Sequence, residues 1–238
     1  MKEKILKIIA QYFDGLSALV YPYFCVVCGG ELNQKSEHFC FSCGEDLHFT
    51  YFERYKDYSF ADQVFWGRLK IENVYALLYY EKATSTRKIL HDIKYNEGKD
   101  LAHFMGQMLG KKLKDNQKYA DIDALIPIPI HSKKEFSRGY NQSLLIANGV
   151  SEELNIPIVN ALYRKTHDES QTRKNRDERY QNVKGKFALK KDGLKDYKHV
   201  LIVDDVLTTG STLEFASRAV FESQENALVS LATIAVAH

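Results

Sequence analysis

Between Val200 and Leu213, four apolar residues lead into two adjacent acids, two further apolar residues and the string Thr208-Thr209-Gly210-Ser211-Thr212. Few folds admit that order. The apolar run predicts a buried parallel strand over 199–204, and Leu213, Ala216, Ala219 and Val220 recur at helical spacing over 211–223. A strand feeding a helix through a loop of small residues belongs to a parallel α/β sheet, whose ligands sit at the carboxyl ends of the strands. Gly210 and its small neighbours let successive backbone N–H groups turn inward as an anion nest, and the helix that follows adds its positive end. The hydroxyls of Thr208, Thr209, Ser211 and Thr212 supply further donors. Asp204 and Asp205 are expected to stand exposed at the strand end. There they would accept hydrogen bonds from vicinal ribose hydroxyls, directly or through magnesium. The expectation is a pocket for a ribose 5-phosphate.

The rest of the chain supplies the sheet around that loop. Strands are predicted over 73–80, 124–127, 158–162 and 227–236, and helices over 84–94, 100–113 and 142–154. Alternation of this kind gives right-handed crossovers and a largely parallel sheet flanked by helices. The strand 125–130 runs into His131, Ser132, Lys133 and Lys134, read as a basic loop able to hold a pyrophosphate group. Residues 164–186 carry eight Lys or Arg side chains, among them Arg164, Arg173, Arg176 and Arg179, against four acids.

All four cysteines fall between Cys25 and Cys43, as Cys25-x2-Cys28 and Cys40-x2-Cys43. Two such knuckles place four thiolates at the corners of a tetrahedron, which suits zinc and leaves no open position, so the site is read as structural. Whether the module only stabilises the fold or also docks DNA or a protein stays open. The organisation expected is an amphipathic helix at 1–21, a four-cysteine zinc module at 22–48, a connector at 49–70 and an α/β domain at 71–238. The helix at 1–21 packs on its own domain or meets a partner or a membrane surface. It lacks the unbroken apolar core and cleavage site of a signal peptide. No apolar run is long enough to span a bilayer, and a cytoplasmic protein is expected. A net charge of +2 excludes a protein that coats DNA by overall charge, so nucleic-acid contact would need a local basic surface.

The loop at 204–212 resembles the phosphoribosyl pyrophosphate (PRPP) signature of type I phosphoribosyltransferases. The order of all these parts resembles the ComF (ComFC-like) competence family. The resemblance includes the paired knuckles, the run Leu90 to Gly98, Pro127-Ile-Pro129-Ile-His131, Arg138-Gly-Tyr-Asn-Gln142, Arg164-Lys-Thr166 and Gln171-Thr-Arg173. It implies a zinc finger joined to a type I phosphoribosyltransferase-like domain, with 164–186 as a hood that closes over PRPP and excludes water. It also implies a role in natural transformation: binding PRPP and single-stranded DNA, and assisting DNA uptake with the competence machinery, in the cytoplasm or peripherally at the inner membrane. Arg138, Arg164, Arg173, Arg176 and Arg179 are the hood and DNA candidates, with Tyr140 and Tyr180 as stacking or packing tyrosines. An active phosphoribosyltransferase of unknown acceptor and a PRPP-sensing regulator are the alternatives. Amidophosphoribosyltransferase activity as such is not expected, since no cysteine nucleophile follows Met1.

Overall fold

The computed structural model describes residues 22–34, 37–81, 84–95, 98–164 and 187–237. The expected helix at 1–21 lies outside them, as do Arg173, Arg176, Arg179 and Tyr180. The chain divides into two compact units, Met1–Leu47 and His48–His238.

In the smaller unit, β1 (Tyr23–Phe24) and β2 (Glu31–Leu32) form an antiparallel hairpin, followed by a short helix, α1 (Phe41–Glu45). The hairpin turn is tightened by Gly29, at φ 73°, whose N–H donates to the Cys25 carbonyl at 2.8 Å. A positive φ there is what lets the backbone curl around the first pair of sulfurs.

The larger unit is built on four parallel strands in the order β3 (Val74–Tyr80), β8 (Leu228–Ala237), β7 (His199–Leu207), β4 (Ala124–Pro127). All four are buried and mainly apolar, as strands covered on both faces must be. The strand expected at 158–162 is reduced to one parallel bridge, Leu125 to Ile158, beside β4. Pro157 has no N–H to give, and the chain leaves the sheet edge after Val159. It then forms β5 (Leu162–Arg164), which pairs antiparallel with β6 (Phe187–Leu189) away from the main sheet.

Residues 49–70, read from sequence as a connector, form part of the larger unit and pack on β3. Thr50 Oγ1 donates to the Ala76 carbonyl at 2.6 Å, and the Phe52 ring meets Tyr75 and Tyr79 edge-on. A 3-10 turn at Phe52–Arg54 and helix α2 (Phe60–Gln63) lie in this stretch. Asp62 fastens it. One carboxylate oxygen accepts from the Ser59 N–H and hydroxyl, both at 2.7 Å, and the other from the Val74 N–H at 2.8 Å.

Helix α3 (Ser85–Tyr95) precedes α4 (Lys99–Lys114), and two more helices follow, α5 (Ser132–Arg138) and α6 (Gln142–Leu154). Helices α4 and α6 touch backbone to backbone. A Cβ on Gly106 would lie 2.1 Å from the Ile146 carbonyl oxygen, and one on Gly149 2.2 Å from the His103 carbonyl oxygen. Glycine is required at both places. This contact fixes α6, whose first residues face the carboxyl ends of β4 and β7.

Candidate functional site

In the smaller unit the four cysteine sulfurs lie within 4.8 Å of one another, with Cys28 and Cys40 Sγ 3.7 Å apart. A tetrahedron with Zn–S bonds near 2.3 Å has edges of about 3.8 Å. The Gly30 N–H points at Cys28 Sγ at 3.4 Å, a contact that supports a thiolate. Burial would raise the Cys25 thiol, but the backbone amides around Cys28, Cys40 and Val27 outweigh it and bring the group down to about 6. A hydrogen bond from the protonated Cys43 thiol to Cys40, with burial, pushes Cys43 up to about 12. Four sulfurs gathered this closely suit a soft cation. The set fits a metal such as zinc, and its four sulfurs close the coordination shell.

In the larger unit the decisive strand is β7. It does not end at Asp204: pairing with β8 continues through Asp204–Thr233, Val206–Ala235 and Leu207–Val236. The two acids therefore lie inside the strand, and contrary to the sequence expectation they are buried, with Asp204 8% and Asp205 5% exposed. Asp204 Oδ1 accepts from Ser143 Oγ and from the Asp205 N–H, each at 2.9 Å. Asp205 Oδ2 meets Lys94 Nζ at 2.8 Å and Gln142 Nε2 at 3.4 Å. Burial, and next to it the neighbouring charge of Asp205, pushes the Asp204 carboxyl up to about 7. Gln142 Oε1 is buried without a hydrogen-bond partner, the sole such side-chain atom among the described residues.

These groups line a cavity of about 190 Å³. Its other walls are Ile128 to Ile130, Lys134, Arg138, Arg164 and Thr212. Two acids, a glutamine and a serine thus face four cations. The guanidinium of Arg138 lies 5.3 Å from the Tyr95 ring centroid, and that of Arg164 5.6 Å from the Phe187 centroid.

The loop after β7 reaches a positive φ of 77° at Gly210, where a Cβ would come within 2.8 Å of Val64 and 3.1 Å of Phe65. Helix α7 (Ser211–Ser223) starts there with no side-chain cap, so no side chain claims the N–H groups of its first turn. Thr208, Thr209 and Thr212 are exposed, and the Thr209 and Ser211 hydroxyls are 3.0 Å apart. Arg68 Nη1 donates to the Thr209 carbonyl at 3.1 Å and lies 3.7 Å from Glu214, a buried acid also bound by Arg218 at 2.9 Å.

The basic loop expected at 131–134 is in fact the first turn of α5. The His131 carbonyl accepts from the N–H groups of Lys134 and Glu135. The pattern Ser132 to Glu135, typical of a helix start, was the available signal. Lys134 lines the cleft, whereas His131 and Ser132 stand at the helix entrance. Tyr140, a stacking candidate, is a packing residue: it is buried and its hydroxyl donates to the Ile93 carbonyl at 2.6 Å. Sequence reasoning gave no part in this site to Lys94, Gln142, Ser143 or Arg68.

Residues 141–237 match the family described as Phosphoribosyl transferase domain, from the start of α6 to the end of β8. Competence protein F of Haemophilus influenzae is 27% identical over 198 residues, covering 81% of this chain and 82% of that protein. Competence protein ComFC of Bacillus subtilis is 31% identical over 110 residues, 46% of this chain and 43% of that one. The chain is thus similar to ComF-type competence proteins. DNA utilization protein YhgH of Escherichia coli is a further relative, 26% identical over 129 residues, covering 52% and 56% of the two chains. As in the fold expected of ComF proteins, a parallel sheet flanked by helices follows a four-cysteine cluster. Among the described residues, no helix is long and apolar enough to cross a membrane.

Proposed function

We propose that the cleft binds PRPP with magnesium, and that the protein handles single-stranded DNA entering the cell during natural transformation. The observation that carries the first part is the state of the acids. Asp204 and Asp205 lie side by side and buried, with one lysine paired to Asp205, and Gln142 Oε1 has no partner. Buried polar groups left this way cost free energy unless a ligand satisfies them. Vicinal ribose hydroxyls would donate to the acids and to Gln142 Oε1, and magnesium would offset the second carboxylate charge. The loop 208–212 would take the 5-phosphate on the uncapped first turn of α7. Lys134, with Lys133, would face the pyrophosphate, and the hood would close with Arg164, Arg173, Arg176 and Arg179. The four cysteines would hold zinc as a structural ion.

The second part is supported by the relatives, named for competence and for DNA utilization. Arg138 and Arg164 at the cleft rim would give a strand of DNA its phosphate contacts.

The test is calorimetric titration of the full chain with PRPP and magnesium, then with a twelve-nucleotide oligothymidylate at two salt concentrations. Saturable PRPP binding should weaken at least tenfold in the double variant Asp204→Asn, Asp205→Asn. It should tighten as pH rises through 7, because a cation at Asp204 displaces its proton. DNA affinity should fall steeply with salt, in proportion to the phosphates neutralised. No PRPP heat in the wild type would remove the ligand reading, and salt-insensitive or absent DNA binding would remove the DNA reading.

A further inference from the structure

The turn at 208–212 is held from behind by a stretch of chain outside the matched residues 141–237. Val64 and Phe65 lie against Gly210, close enough that a Cβ there would meet them at 2.8 and 3.1 Å. The stretch is itself fastened. Phe65 is buried, and Asp62 ties the residues before it to β3 through the Val74 N–H. Gly67, at φ 72°, turns the chain so that Arg68 comes back towards α7. The Arg68 N–H donates to the Phe65 carbonyl at 2.9 Å, and the Arg68 carbonyl accepts from Arg218 Nη2 at 3.3 Å. The backbone of Arg68 is thus anchored on both sides, and its guanidinium is the part left to act.

That guanidinium has two partners. Nη1 donates to the Thr209 carbonyl at 3.1 Å. The Thr209 carbonyl and the Gly210 N–H belong to one trans peptide and point in opposite directions. Drawing the carbonyl towards Arg68 therefore aims the Gly210 N–H away from it, as an inward-facing donor of an anion nest requires. The same Nη1 lies 3.7 Å from Glu214, a carboxylate 2% exposed in the first turn of α7. A buried negative charge there would repel a phosphate arriving at the uncapped turn. Arg218 takes one of its oxygens at 2.9 Å and Arg68 faces the other, so two cations stand against one acid.

We propose that Arg68 is a positioning residue for anion binding at 208–212. It sets the Thr209–Gly210 peptide and offsets Glu214, so that the turn accepts the 5-phosphate of a sugar phosphate. The inference rests on the reading of the cleft as a ribose-phosphate site, and adds to it a residue that the matched segment does not contain. Arg68 acts on the 5-phosphate end alone, whereas Lys134 would serve the pyrophosphate end.

The experiment is calorimetric titration of the full chain with magnesium, using ribose 5-phosphate and PRPP as separate probes. The Arg68 side chain is 45% exposed and its loss leaves Glu214 paired with Arg218, so Arg68→Ala is expected to fold. Both ligands carry the 5-phosphate, so Arg68→Ala should weaken both by the same factor, roughly fivefold or more. Arg68→Lys, which keeps the cation, should bind ribose 5-phosphate roughly threefold more tightly than Arg68→Ala does. Lys134→Ala marks the opposite end and should weaken PRPP alone. Unchanged ribose 5-phosphate affinity in Arg68→Ala overturns the proposal. So does an equal loss in Arg68→Lys and Arg68→Ala, which would assign the effect to packing. So, too, does a loss in Arg68→Ala confined to PRPP, the pattern of Lys134→Ala. Wild-type binding of ribose 5-phosphate without tighter binding of PRPP would remove the PRPP reading and leave this one to the Arg68 variants. Binding of neither ligand to the wild type removes both.

Discussion

Strand β7 carries a polar constellation at each end, and the two are built on opposite principles. At the start of the strand, His199 is buried and both ring nitrogens are engaged: Nδ1 with Asp121 and Nε2 with Ser230, each at 2.9 Å. Asp123 closes the corner by accepting from the Lys198 and His199 N–H groups at 2.8 and 3.2 Å. Ser, His and Asp stand there in the order of a hydrolytic relay, yet Ser230 is fully buried and no substrate reaches it. At the far end, Asp204 and Asp205 are as deeply buried, but one is pushed up to about 7 and the glutamine beside them keeps an oxygen without a partner. A polar cluster complete in itself stabilises a fold; one left incomplete is shaped for something that arrives later. Burial alone does not separate the two, but the completeness of the hydrogen bonding does.

The largest effect is expected at the closed end. His199→Ala removes a well-packed ring and leaves the Ser230 hydroxyl buried without its partner, so a loss of about 3 kcal/mol is expected in urea unfolding. Binding at the cleft should not change in the folded fraction. A loss below about 1 kcal/mol would mean that the cluster is not the closed structural unit its geometry describes.

The open end should respond in the other direction. In Asp204→Asn the Oδ1 acceptor of Ser143 Oγ and of the Asp205 N–H is kept while a buried charge is removed. The variant is expected to be more stable than wild type at pH 8 by about 2 kcal/mol. The sign follows from linkage. The folded-state value of Asp204 lies above its unfolded one, so the native state binds the proton more tightly in the interval from about 4 to about 7. This group's stabilisation is complete below that interval and is lost as pH rises through 7. Wild-type stability should therefore decline across that window relative to the variant, and parallel curves would exclude Asp204 as the titrating group.

Much of this contrast was legible in the sequence, and the part that was not has a physical cause. The apolar runs of β3, β4, β7 and β8 and the helical periodicity of α4, α6 and α7 were readable because burial imposes periods of its own. So were the small-residue turn at 208–212 that starts α7 and the two knuckles, whose structure is dictated locally. The burial of the acids had a signal that was passed over: Val206 and Leu207 follow them with strand character, which places the acids within the strand. The layer at 49–70 escaped because its aromatic residues serve edge-on contacts that follow no period. The Lys94 to Asp205 pair escaped because it joins α3 to β7 across the sheet, and no local pattern reports such a contact. His199 likewise looked like an ordinary strand start.

That ion pair gives the next effect in size. Asp205→Asn leaves Lys94 Nζ, on a side chain 23% exposed, without its charge partner at the cleft wall, so a loss of about 1 kcal/mol is expected. With the neighbouring negative charge gone, Asp204 should titrate lower than in wild type, since Asp205 is one of the two influences that raise it. Asp204→Asn and Asp205→Asn would then move thermal stability at pH 8 in opposite directions although the two acids are adjacent. The same sign for both would mean that Lys94 is not what separates them.

The smallest effect is the most specific. Ser143 Oγ donates to Asp204 Oδ1 and favours its charged form, and it does so from the first turn of α6, the helix held in place by Gly106 and Gly149. Ser143→Ala removes that donor and leaves the Asp205 N–H as the other hydrogen bond to the same oxygen. Asp204 should then hold its proton to higher pH, by about one unit, since one hydrogen bond to a charged group contributes about 1.5 kcal/mol. The upper edge of the stability decline should move upward by that amount, with fold and spectra intact. The corresponding change at the other end of β7, Ser230→Ala, removes a partner of His199 instead. It should lower stability by about 1 kcal/mol without displacing this edge. An edge that stays in place in Ser143→Ala, or one that moves in Ser230→Ala, would break the distinction between the open and the closed end of the strand.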